Sequence, residues 1–347
     1  MSETILFLAH AAGGAIARAD LEALAAATAL AQQIPGATLV AGLAGDGAAF
    51  AASAIAGSGA ARVLAVEGPE FAEPRYATDA LAAEALARAA GATIVVAAGT
   101  SRWMRVLPGV AHRLGGRVET HLTGVRAEGG QVFVSRWYYR QRMEAVLTRA
   151  HRPWVLVVDP GCAEPWKGAA GAAAVAVEPV AVAVPDGARR TQVEGVRAAS
   201  SGAQTIRPDA AVLFVAGAGW TKKQADGKVH AEDAQKLILG FIDAAGASLG
   251  GSKSVVDQSG EGQAVLPFMT HLNQVGQTGA TPRHPKGLAT CCHGEEPHTV
   301  GWRFINERRA VNLDPGCGWS RGKADVLYVA DAFAVMARVN ELLEARK

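Results

Sequence analysis

Aromatic residues make up only 6% of the 347 residues, and charged residues only 19%. Neither sign of charge dominates: 34 basic against 32 acidic side chains leave a net charge of +2, which is no footprint for nucleic acid or an anionic membrane surface. Four cysteines (Cys162, Cys291, Cys292 and Cys317) are too few for a disulfide scaffold, and no secretory leader precedes them. No apolar run is long and uncharged enough to span a bilayer; residues 170–184 come nearest, and Glu178 and Pro179 interrupt them. A Gly-x-Ser-x-Gly elbow is also missing, so serine hydrolysis has no support. These absences set the expectation of a cytoplasmic protein in a reducing compartment, with no membrane insertion and no nucleic-acid partner.

Half of the residues are hydrophobic, and alanine and glycine abound, as in tightly packed α/β layers. A prior of roughly one domain per 150 residues gives two domains. In the first half, short apolar runs alternate with helical segments. Strands are expected at Thr4–Ala9, Ala37–Ala41, Arg62–Val66 and Ala92–Ala98, and helices at Ala17–Gln33, Ala48–Ile55, Asp79–Ala90 and Trp103–Leu114. That alternation points to a mostly parallel sheet covered on both faces. Residues 117–160 are richer in β-formers. Residues 168–205, small and Pro-interrupted, read as a strand-and-linker zone, and a second α/β unit follows with strands near 211–215, 287–291, 309–312 and 326–329 and helices at 231–245 and 332–346. The expected organisation is an N-terminal α/β domain over 1–185, a linker over 186–209 and a Rossmann-like domain over 210–347.

The densest chemistry lies in Gln274-Val275-Gly276-Gln277-Thr278-Gly279. Small residues let a backbone approach a flat or anionic ligand, and the flanking amides and hydroxyls can bond to it. Alone such a loop is weak. Here Ser252-Lys253-Ser254-Val255-Val256-Asp257 precedes it and Ala310-Val311-Asn312-Leu313-Asp314-Pro315 follows. The adjacent Cys291 and Cys292, with His293, His298 and Cys317, invite a thiol or metal reading. Neighbouring residues on a strand point to opposite faces, so adjacent cysteines rarely share one ion, and no metal site is assigned. The basic, aromatic run Arg136–Arg142 reads as a strand edge or subunit contact.

Taken in order, these segments resemble the C-terminal FAD domain of the electron transfer flavoprotein alpha subunit family, of which the chain looks like a divergent member. Gly250-Gly251-Ser252-Lys253-Ser254-Val255-Val256-Asp257 matches that family's Gly-Ala-Ser-Arg-x-x-Val-Asp, and its Gln-Val-Gly-Gln-Thr-Gly stands unchanged at 274–279. Ala310–Pro315 matches Ala-Ile-Asn-Lys-Asp-Pro, and Ala330-Asp331 matches the Ala-Asp before the last helix. Cys292–His298 takes the place of Ile-Ser-Gly-Ala-Ile-Gln-His. The likeness is specific in the last ~100 residues and looser before them, by motif spacing.

The resemblance implies FAD as cofactor, with AMP, where present, left to the partner subunit. It places Thr278 near the flavin N5 and His298 near O2, where nearby donors shift the potential. Lys253 stands where the family stacks an arginine; the charge survives and the planar stacking does not. The other residues implied in cofactor binding are Gly219, Ser252, Gln274, Val275, Gly276, Gln277, His293, Gly294, Asn312, Asp331 and Ala332, with Asn312 and Asp331 on the AMP half. From the residues alone, Asp331 is equally an N-cap, Gln274 and Gln277 turn caps, His298 a surface histidine and Lys253 a solvated side chain. Gly217-Ala218-Gly219 fails as a dinucleotide fingerprint, since the third glycine is missing. The function implied is an electron carrier and not an enzyme. It would work as the alpha-like half of a heterodimer with a beta-like subunit, taking electrons from a flavin dehydrogenase and passing them to a quinone-linked oxidoreductase. The alternatives are an FAD-less nucleotide-binding or assembly subunit, and a thiol or metal enzyme using Cys291, Cys292 and His298.

Overall fold

A computed structural model of the chain describes residues 2–138, 143–168, 176–195, 206–207, 210–257, 265–275, 284–290, 305–315 and 324–346. The chain divides into two compact units, Met1–Val196 and Arg197–Lys347, a division that falls inside the stretch 186–209. Both are α/β.

In the first unit the chain runs β1 (Thr4–Ala12), β2 (Ala15–Ile16), α1 (Arg18–Gln33), β3 (Thr38–Gly45), α2 (Ala48–Ala51), β4 (Arg62–Val66), α3 (Pro69–Ala72), α4 (Tyr76–Ala90), β5 (Ile94–Ala98), α5 (Ser101–Arg113), β6 (Arg117–Glu128), β7 (Gln131–Tyr138), β8 (Met143–Thr148), β9 (Trp154–Val158) and β10 (Val177–Pro179). The sheet order is β10-β4-β3-β1-β5-β9-β6-β7-β8, with β2 folded back on β1. From β10 to β6 every pair is parallel, and the β6-β7-β8 extension is antiparallel. Strand alternation sends Ile5, Phe7 and Ala9 into one core beneath α1, and Leu6 and Leu8 into another beneath α4 and α5. Two buried faces explain why these strands read as unbroken apolar runs. Gly91 ends α4 in the left-handed conformation, and the Thr100 side chain caps α5 by accepting from the Trp103 amide.

Part of the strand-and-linker zone pairs with the sheet. β10 lies parallel to β4, and Arg62 makes a bidentate bond to Glu178 across that edge. Further on, Arg189 pairs with Glu70 at 3.0 Å, and Arg75 Nε donates to the Thr191 carbonyl at 2.7 Å. Two buried acids are also paired: Glu119 sits between Arg136 and Arg149, and Asp79 meets Arg102. Residues 139–142 of the basic, aromatic run lie outside the described residues.

The second unit contains β11 (Val212–Ala216), α6 (Ala231–Ala245), β12 (Ser248–Gly251), α7 (Lys253–Asp257), β13 (Lys286–Thr290), β14 (Glu307–Asn312), β15 (Val326–Val329) and α8 (Ala332–Glu344). All five strands are parallel, in the order β12-β11-β13-β14-β15. This is the 2-1-3-4-5 doubly wound order, in which strand order reverses beside the first strand. α6 and α8 pack together over one face, on Phe214, Ala216 and Leu249. Val275, Ile305 and the other inward residues of β11 and β13 build the core of the opposite face. Among the described residues, no helix is long and apolar enough to cross a membrane.

Candidate functional site

In doubly wound sheets a ligand binds outside the carboxyl ends of the strands, where the order reverses. In the second unit that point lies between β11 and β13. Every described residue of the candidate set stands on this carboxyl edge. Gly219 lies in the 3-10 turn Ala218–Thr221 that follows β11. Ser252 and Lys253 follow β12, Asn312 is the last residue of β14, and Asp331 and Ala332 join β15 to α8. Gln274 reaches the same edge through a parallel bridge to Gly251, fixed by the Val275 amide donating to the Gly251 carbonyl at 3.0 Å. Gly276, Gln277, Thr278, His293, Gly294 and His298 lie outside the described residues, as do Cys291, Cys292 and Cys317.

The local hydrogen bonds give several of these residues a structural task. Ser252 Oγ accepts from the Val255 amide at 3.3 Å and so caps α7, a bond that leaves its hydroxyl proton available to a ligand. Asp331 Oδ1 accepts from the Phe333 amide at 3.1 Å and caps α8. Asn312 Nδ2 donates to the Asp314 carbonyl at 3.0 Å. Lys253 is half exposed, 3.7 Å from Asp257 one turn along α7, and His271 Nε2 meets the other carboxylate oxygen at 3.4 Å. Ala332 is core. For Asp331→Ala the expected loss is about 1 kcal/mol of stability from the cap alone. FAD retention at a temperature where the variant is fully folded reads the second role; normal flavin content there would leave Asp331 as a cap only.

The glycines before Ser252 answer to packing. A Cβ on Gly250 would stand 2.6 Å from Val275 Cγ2, and one on Gly251 would stand 2.2 Å from Met269 Cε. The close approach they permit is therefore that of the segment 265–275, which carries Gln274 to the edge. Thr270 and Asn273 hold that segment in a capping box, and Asn273 Nδ2 donates to the Leu249 carbonyl at 3.3 Å.

Two residues not singled out by sequence complete the edge. Trp220, fully buried, donates Nε1–H to Thr290 Oγ1 at 2.9 Å, and its ring meets Phe333 at 4.6 Å between centroids. The only sequence signal was a tryptophan directly after a Gly-Ala-Gly turn. Among the described residues, no group of three or more His, Cys, Asp or Glu is placed to hold a metal ion. Cys162, in the first unit, is pushed up to about 11 by burial, with Asp159 and Glu22 adding to it, and so is a poor nucleophile near neutrality.

Among the described residues the edge carries backbone amides, the Ser252 hydroxyl, the Asn312 amide, the carboxylates of Asp257 and Asp331 and the Lys253 ammonium, polar groups suited to a ligand rich in oxygen atoms. No curated protein matches the chain. The family model of the electron transfer flavoprotein domain matches residues 4–185, more than half of the sequence. The match thus falls on the first unit, where the motif likeness was looser. On that match, the chain belongs to the electron transfer flavoprotein family.

Proposed function

We propose that the chain is the alpha-like subunit of a heterodimeric electron transfer flavoprotein and holds FAD on the carboxyl edge of its second sheet. The observation that carries this reading is the convergence of four separate chain segments (after β11, after β12, at 274–275 and around Asn312 and Asp331) on the edge where a doubly wound sheet takes its ligand. Family membership supports the electron-carrying role.

When bound, FAD supplies the electron chemistry; the chain supplies binding, orientation and local charge. Gly219, Ser252, Gln274, Val275, Gly276 and Gln277 hold the ribityl and diphosphate portion, with His293 and Gly294 beside them. Asn312, Asp331 and Ala332 hold the adenosine portion. Lys253, Thr278 and His298 set the charge and hydrogen bonding around the ring. A beta-like subunit completes the protein, which takes electrons from a flavin dehydrogenase and passes them to a quinone-linked oxidoreductase.

One observation favours a second reading, a nucleotide-binding or assembly subunit without FAD: Gly219 and Lys253 stand where the family pattern has arginines. Co-expression with a beta-like subunit, followed by an absorption spectrum, separates the two. The expected product is yellow, with one FAD per heterodimer. A complex that stays colourless after FAD is supplied would end the FAD reading.

A further inference from the structure

We propose that Trp220 is the positioning residue of this cofactor edge, fixing where the chain leaves β11, β13 and β15 relative to one another. The proposal rests on the FAD reading of the same site. The turn after β11 is short and tight: the Gly217 amide donates to the Thr290 carbonyl at 2.9 Å, and the Trp220 amide to the Gly217 carbonyl at 3.4 Å. That geometry drives the indole below the edge instead of over it. There its N–H reaches Thr290, the last residue of β13, whose hydroxyl in turn donates to the Val215 carbonyl at 3.3 Å. The other side of the ring lies tilted on Phe333, two residues beyond Asp331 at the start of α8. The same buried cluster takes in Val255 and Val256 of α7, the helix that Ser252 caps.

One side chain therefore touches or shares a core with every strand exit that carries a described candidate residue, that of β14 included through Val311. A phenylalanine would fill most of that space. Only tryptophan also offers a donor to Thr290, and a buried donor or acceptor left without its partner is costly.

The test is FAD titration of the full chain with its partner subunit, followed by flavin fluorescence and visible circular dichroism at a temperature where all variants are folded. Thr290→Val strands the indole N–H and is expected to weaken FAD ~10-fold. Trp220→Phe keeps the ring contact, loses the bond and is expected to weaken FAD ~3-fold with an altered visible dichroism. Because both remove one bond, Trp220→Phe/Thr290→Val should bind no worse than Trp220→Phe alone, a rescue of Thr290→Val. Phe241→Leu, in the same core but away from the edge, should lower stability and leave FAD affinity and dichroism unchanged. Wild-type affinity in all three edge variants overturns the proposal, as does a loss of FAD that tracks unfolding midpoint equally in Phe241→Leu. A wild-type complex that binds no FAD overturns the reading of the site and this proposal with it.

Discussion

Arg102→Ala should destabilise the first unit by about 3–5 kcal/mol. Arg102 holds Asp79 through Nε at 2.9 Å and Nη2 at 2.5 Å, and Asp79 is almost wholly buried. The same guanidinium donates to the carbonyls of Phe71, Ala72 and Glu73, pinning α3 and the loop after it to α5. Truncation strands a buried carboxylate whose nearest remaining cation is Arg105, 3.9 Å away, and removes three carbonyl partners at once. Burial already raises the Asp79 pKa, against the lowering effect of Arg102. Without Arg102 that pKa rises further, so the deficit should shrink at acid pH, where the carboxyl is neutral, and grow as pH rises through the raised value. Replacing the pair with Arg102→Met and Asp79→Leu should recover the part of the loss that belongs to the unpaired buried charge and leave the part that belongs to the three carbonyls. Urea unfolding at two pH values reads all three; an Arg102→Ala deficit below about 1 kcal/mol would show the pair to be dispensable.

Asp20→Asn should stabilise the protein at pH 8.5, less so at pH 5, and leave it little changed only below the ordinary carboxyl value of 3.8. Asp20 is 3% exposed in the first turn of α1, its Oδ1 has no hydrogen-bond partner among the described residues, and burial alone raises its carboxyl to about 7. A helix amino terminus favours a negative charge by about 0.3–1 kcal/mol, too little to offset that burial. Between the ordinary value of 3.8 and about 7 the folded state binds a proton that the unfolded state has released. Stability therefore falls as pH rises across that window, by about 4 kcal/mol in all. Asparagine cannot ionise, so the variant lacks this slope. Equal pH slopes in the two proteins would mean that Asp20 is solvated or paired in solution.

Much of the fold was legible because strand and helix periods alternate cleanly where both sheet faces are buried. Arg62–Val66, Ala231–Ala245 and Val326–Val329 fall where the residues placed them. β12 was not legible: Ser248-Leu249-Gly250-Gly251 has no β-branched residue, and it becomes a strand through pairing with β11 and through Val275 and Met269 packed where its glycines have no side chains. For β10 the strand was expected within 168–205 but not its partner, since the pairing with β4 and with Arg62 is remote in sequence. At the candidate site, glycine-rich motifs marked the edge, but local bonds decide what each residue does first, and motifs do not reveal that Ser252 caps α7.

The first four parallel strands of the first unit take the order 3-2-1-4, the layout of a nucleotide-binding half. Where such a half would offer its opening turn, β1 bends back into β2, and the Gly14 amide is taken by the Asp46 carbonyl. Gly47 lies so close that a methyl on it would strike the Gly14 backbone at 2.8 Å, and Phe50 lies across Gly14 while remaining 76% exposed. The berth is plugged by its own polypeptide. On the FAD reading proposed above, the cofactor is left to the carboxyl edge of the second sheet.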